Sequence, residues 1–150
     1  MDDQMYALRI HGTVERGGPD GNVLRATGSA KEAGAWLEAE LILTGTSTYQ
    51  EFGSVWFGTQ GHGIRYGTVG SGHLERAADG QPCRGGAISR VDGGEGRHAG
   101  ARGMVASLFG IDETGGITIH LIAIVRGAKW VGGAPDAIRD GTPSGSVTKR

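Results

Sequence analysis

Glycine interrupts this chain 30 times in 150 residues, and the runs between glycines are short. Many of those runs alternate polar with apolar side chains, the period of a strand with one buried face. Glycine supplies the positive-φ positions that tight turns and bends require. The glycines follow no three-residue period, which excludes a collagen-like chain, and only 4 prolines argue against low-complexity disorder. The combination predicts an all-β protein of many short strands.

The pattern is clearest at residues 88–109, ISRVDGGEGRHAGARGMVASLF. Residues 88–92 read as a strand. Gly93, Gly94 and Gly96 follow as a hairpin, and at least one of Gly94 and Gly96 is expected at positive φ. Residues 97–102 are too polar and too few to bury anything. Residues 103–109 return as a strand, with Val105, Ser107 and Phe109 on one face and Met104, Ala106 and Leu108 on the other.

The rest of the chain repeats the theme. Residues 5–15 alternate, Tyr6, Leu8, Ile10 and Val14 opposing Arg9, His11 and Thr13. Residues 17–22, GGPDGN, are a turn. Residues 23–30 form a second strand. Residues 31–43 carry both signals: Leu37 and Leu41 suit one helical face, whereas Leu37, Ala39, Leu41 and Leu43 also alternate with Trp36, Glu38, Glu40 and Ile42. Strand neighbours on both sides favour a strand at 36–44. Further strands are expected at 49–58, 63–74, 87–92, 103–110 and 117–126. Gly67, Gly70 and Gly72 suggest a bend or bulge in the fifth, and residues 75–86 a polar loop. Residues 117–126 are apolar on both faces, so both should be covered. The expected architecture is an eight-stranded antiparallel β-barrel over residues 1–127. Residues 128–150 should form a poorly ordered tail, its start pinned by Trp130 and Val131.

Charge and cysteine content narrow the function classes. A formal net charge of −1, with both signs interspersed, lacks the basic footprint of a nucleic-acid binder. Cys83 is the single cysteine, which fits a reducing compartment. The N-terminus has no apolar stretch of signal-peptide length, and the run at 117–125 is too short to span a bilayer as a helix. The expectation is a soluble, cytoplasmic protein with no membrane partner.

The segment GGEGRHAGARG at residues 93–103 resembles the GGTGxFxxARG segment of the allene oxide cyclase-like and dirigent-like barrels. Glu95 replaces the usual threonine, and His98 stands where an aromatic residue is common. GTSTYQEFGSVWFG at residues 45–58 and VGSGHL at residues 69–74 resemble related small bacterial barrels. The likeness spans roughly residues 5–126 and rests on structural glycines. It implies a small closed barrel, and its superfamily includes a cyclopentenone-forming cyclase and proteins that guide radical coupling. It brings no catalytic residue with it.

GSGHLE at residues 70–75 lacks the third glycine and the following helix of a dinucleotide fingerprint. The five histidines show no paired spacing, so no metal site is expected. The stronger constellation is Tyr49, Glu51, His62 and Tyr66. If residues 49–58 and 63–74 pair around residues 59–61, these side chains face one interior, with Phe57 as an apolar wall. Glu51, His62 and Tyr66 are then the candidate catalytic residues. Tyr49, Phe57, Trp56, Arg90 and His120 are the candidate ligand contacts. The expected function is a cofactor-independent cyclase or isomerase acting on a hydrophobic small molecule in bacterial secondary metabolism. A ligand carrier and a filled-core interaction protein stay open beside it, as does assembly into a homodimer.

Overall fold

The computed structural model describes residues 3–127; the expected tail, 128–150, lies outside the described residues. The chain forms β1 (Asp3–Gly17), β2 (Val23–Ala30), β3 (Ala35–Leu43), β4 (Thr48–Phe57), β5 (His62–Thr68), β6 (Gly72–Arg76), β7 (Pro82–Glu95), β8 (Arg102–Ile111) and β9 (Gly116–Arg126). Every pairing is antiparallel. β3 pairs with β4 and β9 with β1, so the sheet closes on itself. β5 and β6 lie end to end between β4 and β7, and together they make one of eight staves. Among the described residues no helix is long and apolar enough to cross a membrane.

Alternation decides which side chains fill the barrel. β1 turns Leu8 and Ile10 inward, β3 turns Leu37 and Leu41, and β9 turns Ile119 and Leu121, all buried. Burying each such side chain contributes roughly 1.5–3 kcal/mol. Glu38, Glu40 and Arg25, half a period away, lie in solvent. Residues 35–43 are therefore a strand, because only a strand separates the leucines from the glutamates. The preceding Lys31–Ala33 makes one short 3-10 turn.

Four expectations change. The fifth expected strand breaks between β5 and β6. Phe52 pairs with Gly67 but Tyr49 pairs with Gly72, so residues 69–71 are looped out of the ladder. The region expected to be a polar loop is largely strand, since β7 begins at Pro82 and runs to Glu95. β7 also passes straight through the expected hairpin glycines. Gly96 has φ +64 and starts the connection, whereas Gly94 is a close-approach position where a side chain would meet the Gly63 carbonyl and His98. Finally, β9 is covered on its inner face alone. Ile122 on the outside is 51% exposed.

Candidate functional site

Two polar clusters sit inside this apolar barrel. The first is built on β4. Its alternation runs unbroken, so Tyr49, Glu51, Gly53, Val55 and Phe57 all face inward. Glu51 is 2% exposed. Its Oε2 accepts a hydrogen bond from Tyr66 Oη at 2.6 Å, and its Oε1 accepts one from Ser107 Oγ at 2.9 Å. Tyr49 Oη donates a longer one to Oε1 at 3.4 Å. Four strands thus surround one carboxyl group: β3 beside it, β5 and β8 through their hydroxyls, and β4 itself.

Local sequence explains the arrangement. Gly53 lies directly opposite Tyr66, and a Cβ there would sit 2.6 Å from Tyr66 Oη. The missing side chain is where the phenol lies. The looped-out residues 69–71 leave Glu51 without a ladder partner on that side. Thr68 supplies one: its Oγ1 accepts from Glu51 N at 2.6 Å and donates to Glu51 O at 3.0 Å. Tyr49 packs edge-on against Phe109, centroids 5.4 Å apart.

Burial sets the electrostatics. Desolvation holds the Glu51 carboxyl above its ordinary value, and hydrogen bonds from Tyr66, Ser107 and Tyr49 offset part of that rise. The Tyr66 phenol is pushed well up by burial and by the neighbouring Glu51, and Tyr49 is raised for the same reasons. A carboxyl kept toward its neutral form beside three hydroxyls can both donate and accept a proton.

The second cluster closes the opposite end of the barrel. The connection from β7 to β8 makes a 3-10 turn at Gly96–His98 and inserts His98, fully buried. Tyr6 stacks on Phe57, centroids 4.4 Å apart, and His98 lies 5.4 Å from Phe57. His98 Nε2 is 3.0 Å from Tyr6 Oη, whose proton goes to Gln4 Oε1 at 2.8 Å. Nε2 therefore carries the imidazole hydrogen and Nδ1 is bare. Nδ1 has no hydrogen-bond partner among the described residues. Burial, with Arg97 and His62 nearby, lowers the His98 pKa to about 3.

The structure brings together Tyr49, Glu51 and Tyr66. His62 does not join them. It lies at the start of β5, where its Nδ1 accepts from Arg97 N at 3.0 Å. Phe57 faces inward but belongs to the His98 cluster. Trp56, Arg90 and His120 are corrected as ligand contacts: strand parity turns all three to the outer wall. Trp56 stacks there on Trp36, centroids 5.7 Å apart. Arg9 and Arg65 also point out. Ser107 and Thr68 were missed as partners of Glu51. The signal for Ser107 was its place between Val105 and Phe109 on one strand face. Nothing local marks Thr68, whose role follows from the bulge after it. A solvent-open depression of about 330 Å³ lies at the rim among Cys83, Arg84, Ile111 and Asp112, and no expected site residue lines it. Among the described residues no three metal-ligating side chains converge. No family model, curated protein or solved structure matches this chain.

Proposed function

We propose that the barrel is a cofactor-independent cyclase or isomerase for a hydrophobic small molecule, with Glu51 as the proton-transfer group. One observation carries the reading: a carboxyl in the interior, held toward its neutral form by burial and oriented by Tyr66 and Ser107. Cyclisation and isomerisation rearrange bonds without net oxidation. A group that protonates a substrate oxygen and takes a proton from a substrate carbon regains its starting state. Glu51 supplies both halves. Ser89 adds support. Its Oγ is buried, has no hydrogen-bond partner among the described residues, and lies in register with Thr68. A substrate carbonyl would find a donor there. The resemblance to the allene oxide cyclase-like barrels points the same way, and the single cysteine suits a cytoplasmic setting.

A second reading has its own support. Tyr49, Glu51, Tyr66 and Ser107 are all buried, and the carboxyl's hydrogen bonds are satisfied within the protein. Such a network can serve only to fix strand register in a filled barrel. Native mass spectrometry of the protein from its source host, followed by assay of Glu51→Gln, separates the readings. A co-purifying molecule that the wild type converts, with turnover lowered about tenfold or more (1.4 kcal/mol) in Glu51→Gln, supports the enzyme. A bound but unconverted molecule indicates a carrier. No bound molecule, with Glu51→Gln altering stability alone, leaves the filled barrel.

A further inference from the structure

One connection differs from every other turn of this barrel. Among the described residues, His98 and Ala101 are the only buried ones outside the strands, and both lie between β7 and β8. The connection carries His98 into the barrel end, against Phe57 and within 3.0 Å of Tyr6 Oη. Its own backbone bonds close on themselves: Ala99 N donates to Gly96 O and Ala101 N to His98 O. Two side chains of the strands tie it down. Tyr6 on β1 bonds His98, and His62 on β5 accepts from Arg97 N. Glycines bracket the inserted ring, Gly96 at φ +64 and Gly100 at φ +75, and a Cβ at Gly100 would meet open space.

We propose that residues 96–100 are a hinged lid on this end of the barrel, with the His98 ring as its latch. The lid swings at its two glycines while the sheet stays paired. Opening bares the Tyr6–Phe57 ring stack to a planar apolar group in place of the imidazole. Two observations point to opening. Arg97 Nε and His98 Nδ1, on adjacent lid residues, are both buried with no hydrogen-bond partner among the described residues. Each raises the free energy of the closed state, and water satisfies both once the lid opens. The surroundings of the latch also suit only the neutral ring. The groups of like charge acting on it are Arg97 on the lid itself and His62 from β5. Tyr6 from β1 offers a phenol, Phe57 from β4 an uncharged ring, and β7 the backbone of Gly94. None of these is a carboxylate that would hold an imidazolium, so acid favours the open lid. Segments so lightly tied open at a lower free energy than the whole fold. Phe57 and Glu51 are separated by about 20 Å of β4 at the ordinary rise per residue. The lid therefore stands apart from the proton-transfer reading.

Native-state hydrogen exchange of the full chain, read residue by residue by NMR, is the test. The hydrogen-bonded amides of Ala99 and Ala101 should be protected about tenfold less, or lower still, than those of β9. Their exchange should not respond to urea well below the unfolding midpoint, which marks an opening that exposes little surface. Between about pH 4 and 6.5 their protection should fall about tenfold per unit of acid, because the open ring titrates near its ordinary 6.5 and the closed one only near 3. His98→Phe keeps a ring in the barrel end and cannot take a proton. It should raise protection at Ala99 and Ala101 about tenfold or more near pH 5 and remove the pH dependence. Tyr6→Phe keeps the ring stack and loses the latch bond, and should lower protection about fivefold. Exchange at Ala99 and Ala101 that follows β9 at every urea concentration overturns the proposal, because the connection then opens only with the whole barrel. So does a His98→Phe profile with the same pH dependence as the wild type.

Discussion

The Glu51 cluster and the His98 cluster share one barrel interior and respond to burial in opposite directions. Glu51 is an acid, and desolvation raises its pKa; His98 is a base, and desolvation lowers its pKa to about 3. Each is thereby driven toward its neutral form. The difference lies in how the hydrogen bonds are made. Glu51 receives Tyr66, Ser107 and Tyr49 from strands whose register is set by the whole sheet. His98 arrives on a connection and bonds one phenol, with Nδ1 left bare. The first is a saturated network inside the wall; the second is an aromatic plug that happens to be an imidazole. The plug caps one end of the barrel, and the network holds a carboxyl in one orientation.

The largest expected effect tests the room that the network needs. Gly53→Val should destabilise by about 3 kcal/mol, because the new side chain takes the space of the Tyr66 ring and separates its hydroxyl from Glu51. Urea denaturation reads it directly, and an unchanged midpoint would mean that Tyr66 is not packed on Gly53. At the plug, Gly96→Val should cost about 2 kcal/mol. It combines φ +64 with a clash against the His62 ring. A smaller loss there than at Gly53 would fit a connection that yields more readily than a strand.

The pH profile sharpens the comparison further. The unfolded chain protonates His98 below its ordinary 6.5, whereas the native barrel does so only near 3. Falling pH in that window should remove about 1.4 kcal/mol of stability per unit. Glu51 acts in reverse. The native state keeps its proton above the ordinary 4.5, so stability present below 4.5 is lost as pH rises through the raised native value. His98→Phe should flatten the acid side, and Glu51→Gln should flatten the fall at higher pH. Free energies of unfolding measured between about pH 4 and 8 decide this, since that range brackets both ordinary values. Identical profiles for wild type and both variants would break the comparison.

The smallest expected effect contrasts two serines. Ser107→Ala should cost about 1.5 kcal/mol by leaving Glu51 Oε1 short of a donor. Ser89→Ala, which removes a hydroxyl with no hydrogen-bond partner among the described residues, should stay within about 0.5 kcal/mol of wild type. A large loss at Ser89 would assign it to the same network.

Much of the barrel was legible because its strands bury one face. Tyr6, Leu8 and Ile10, or Leu37 and Leu41, show their side of the wall by alternation alone. The same parity put Glu51 with Tyr49, Val55 and Phe57. It also put Trp56 on the opposite face, which is why that residue failed as a ligand contact. Arg90 and His120 failed for another reason. His120 lies on a strand expected at these positions and Arg90 on one that runs well beyond its expected ends, and parity alone leaves open which of two faces looks inward when both carry apolar residues, as on β9. The inner face went to Ile119, Leu121 and Ala123, and Ile122 and Ile124 were left outside.

Alternation within the chain by itself determined that the fold is all-β and which side chains share a strand face, because that depends on neighbours two residues apart; the break after Thr68, the start of β7 at Pro82 and the inward face of β9 did not follow from it. Cross-strand register belonged to the tertiary structure. The bulge at residues 69–71 carries Gly72 to Tyr49 and leaves Thr68 to bind the Glu51 backbone. Closure brings Ser107, 56 residues away in sequence, to the same carboxyl. The residue that stands in the resemblance where an aromatic is common, His98, became the barrel's plug because the β7–β8 connection folds back over Tyr6 and Phe57. A hydrogen bond across the barrel depends on how many residues each strand contributes before the sheet closes, and no short stretch of sequence carries that count.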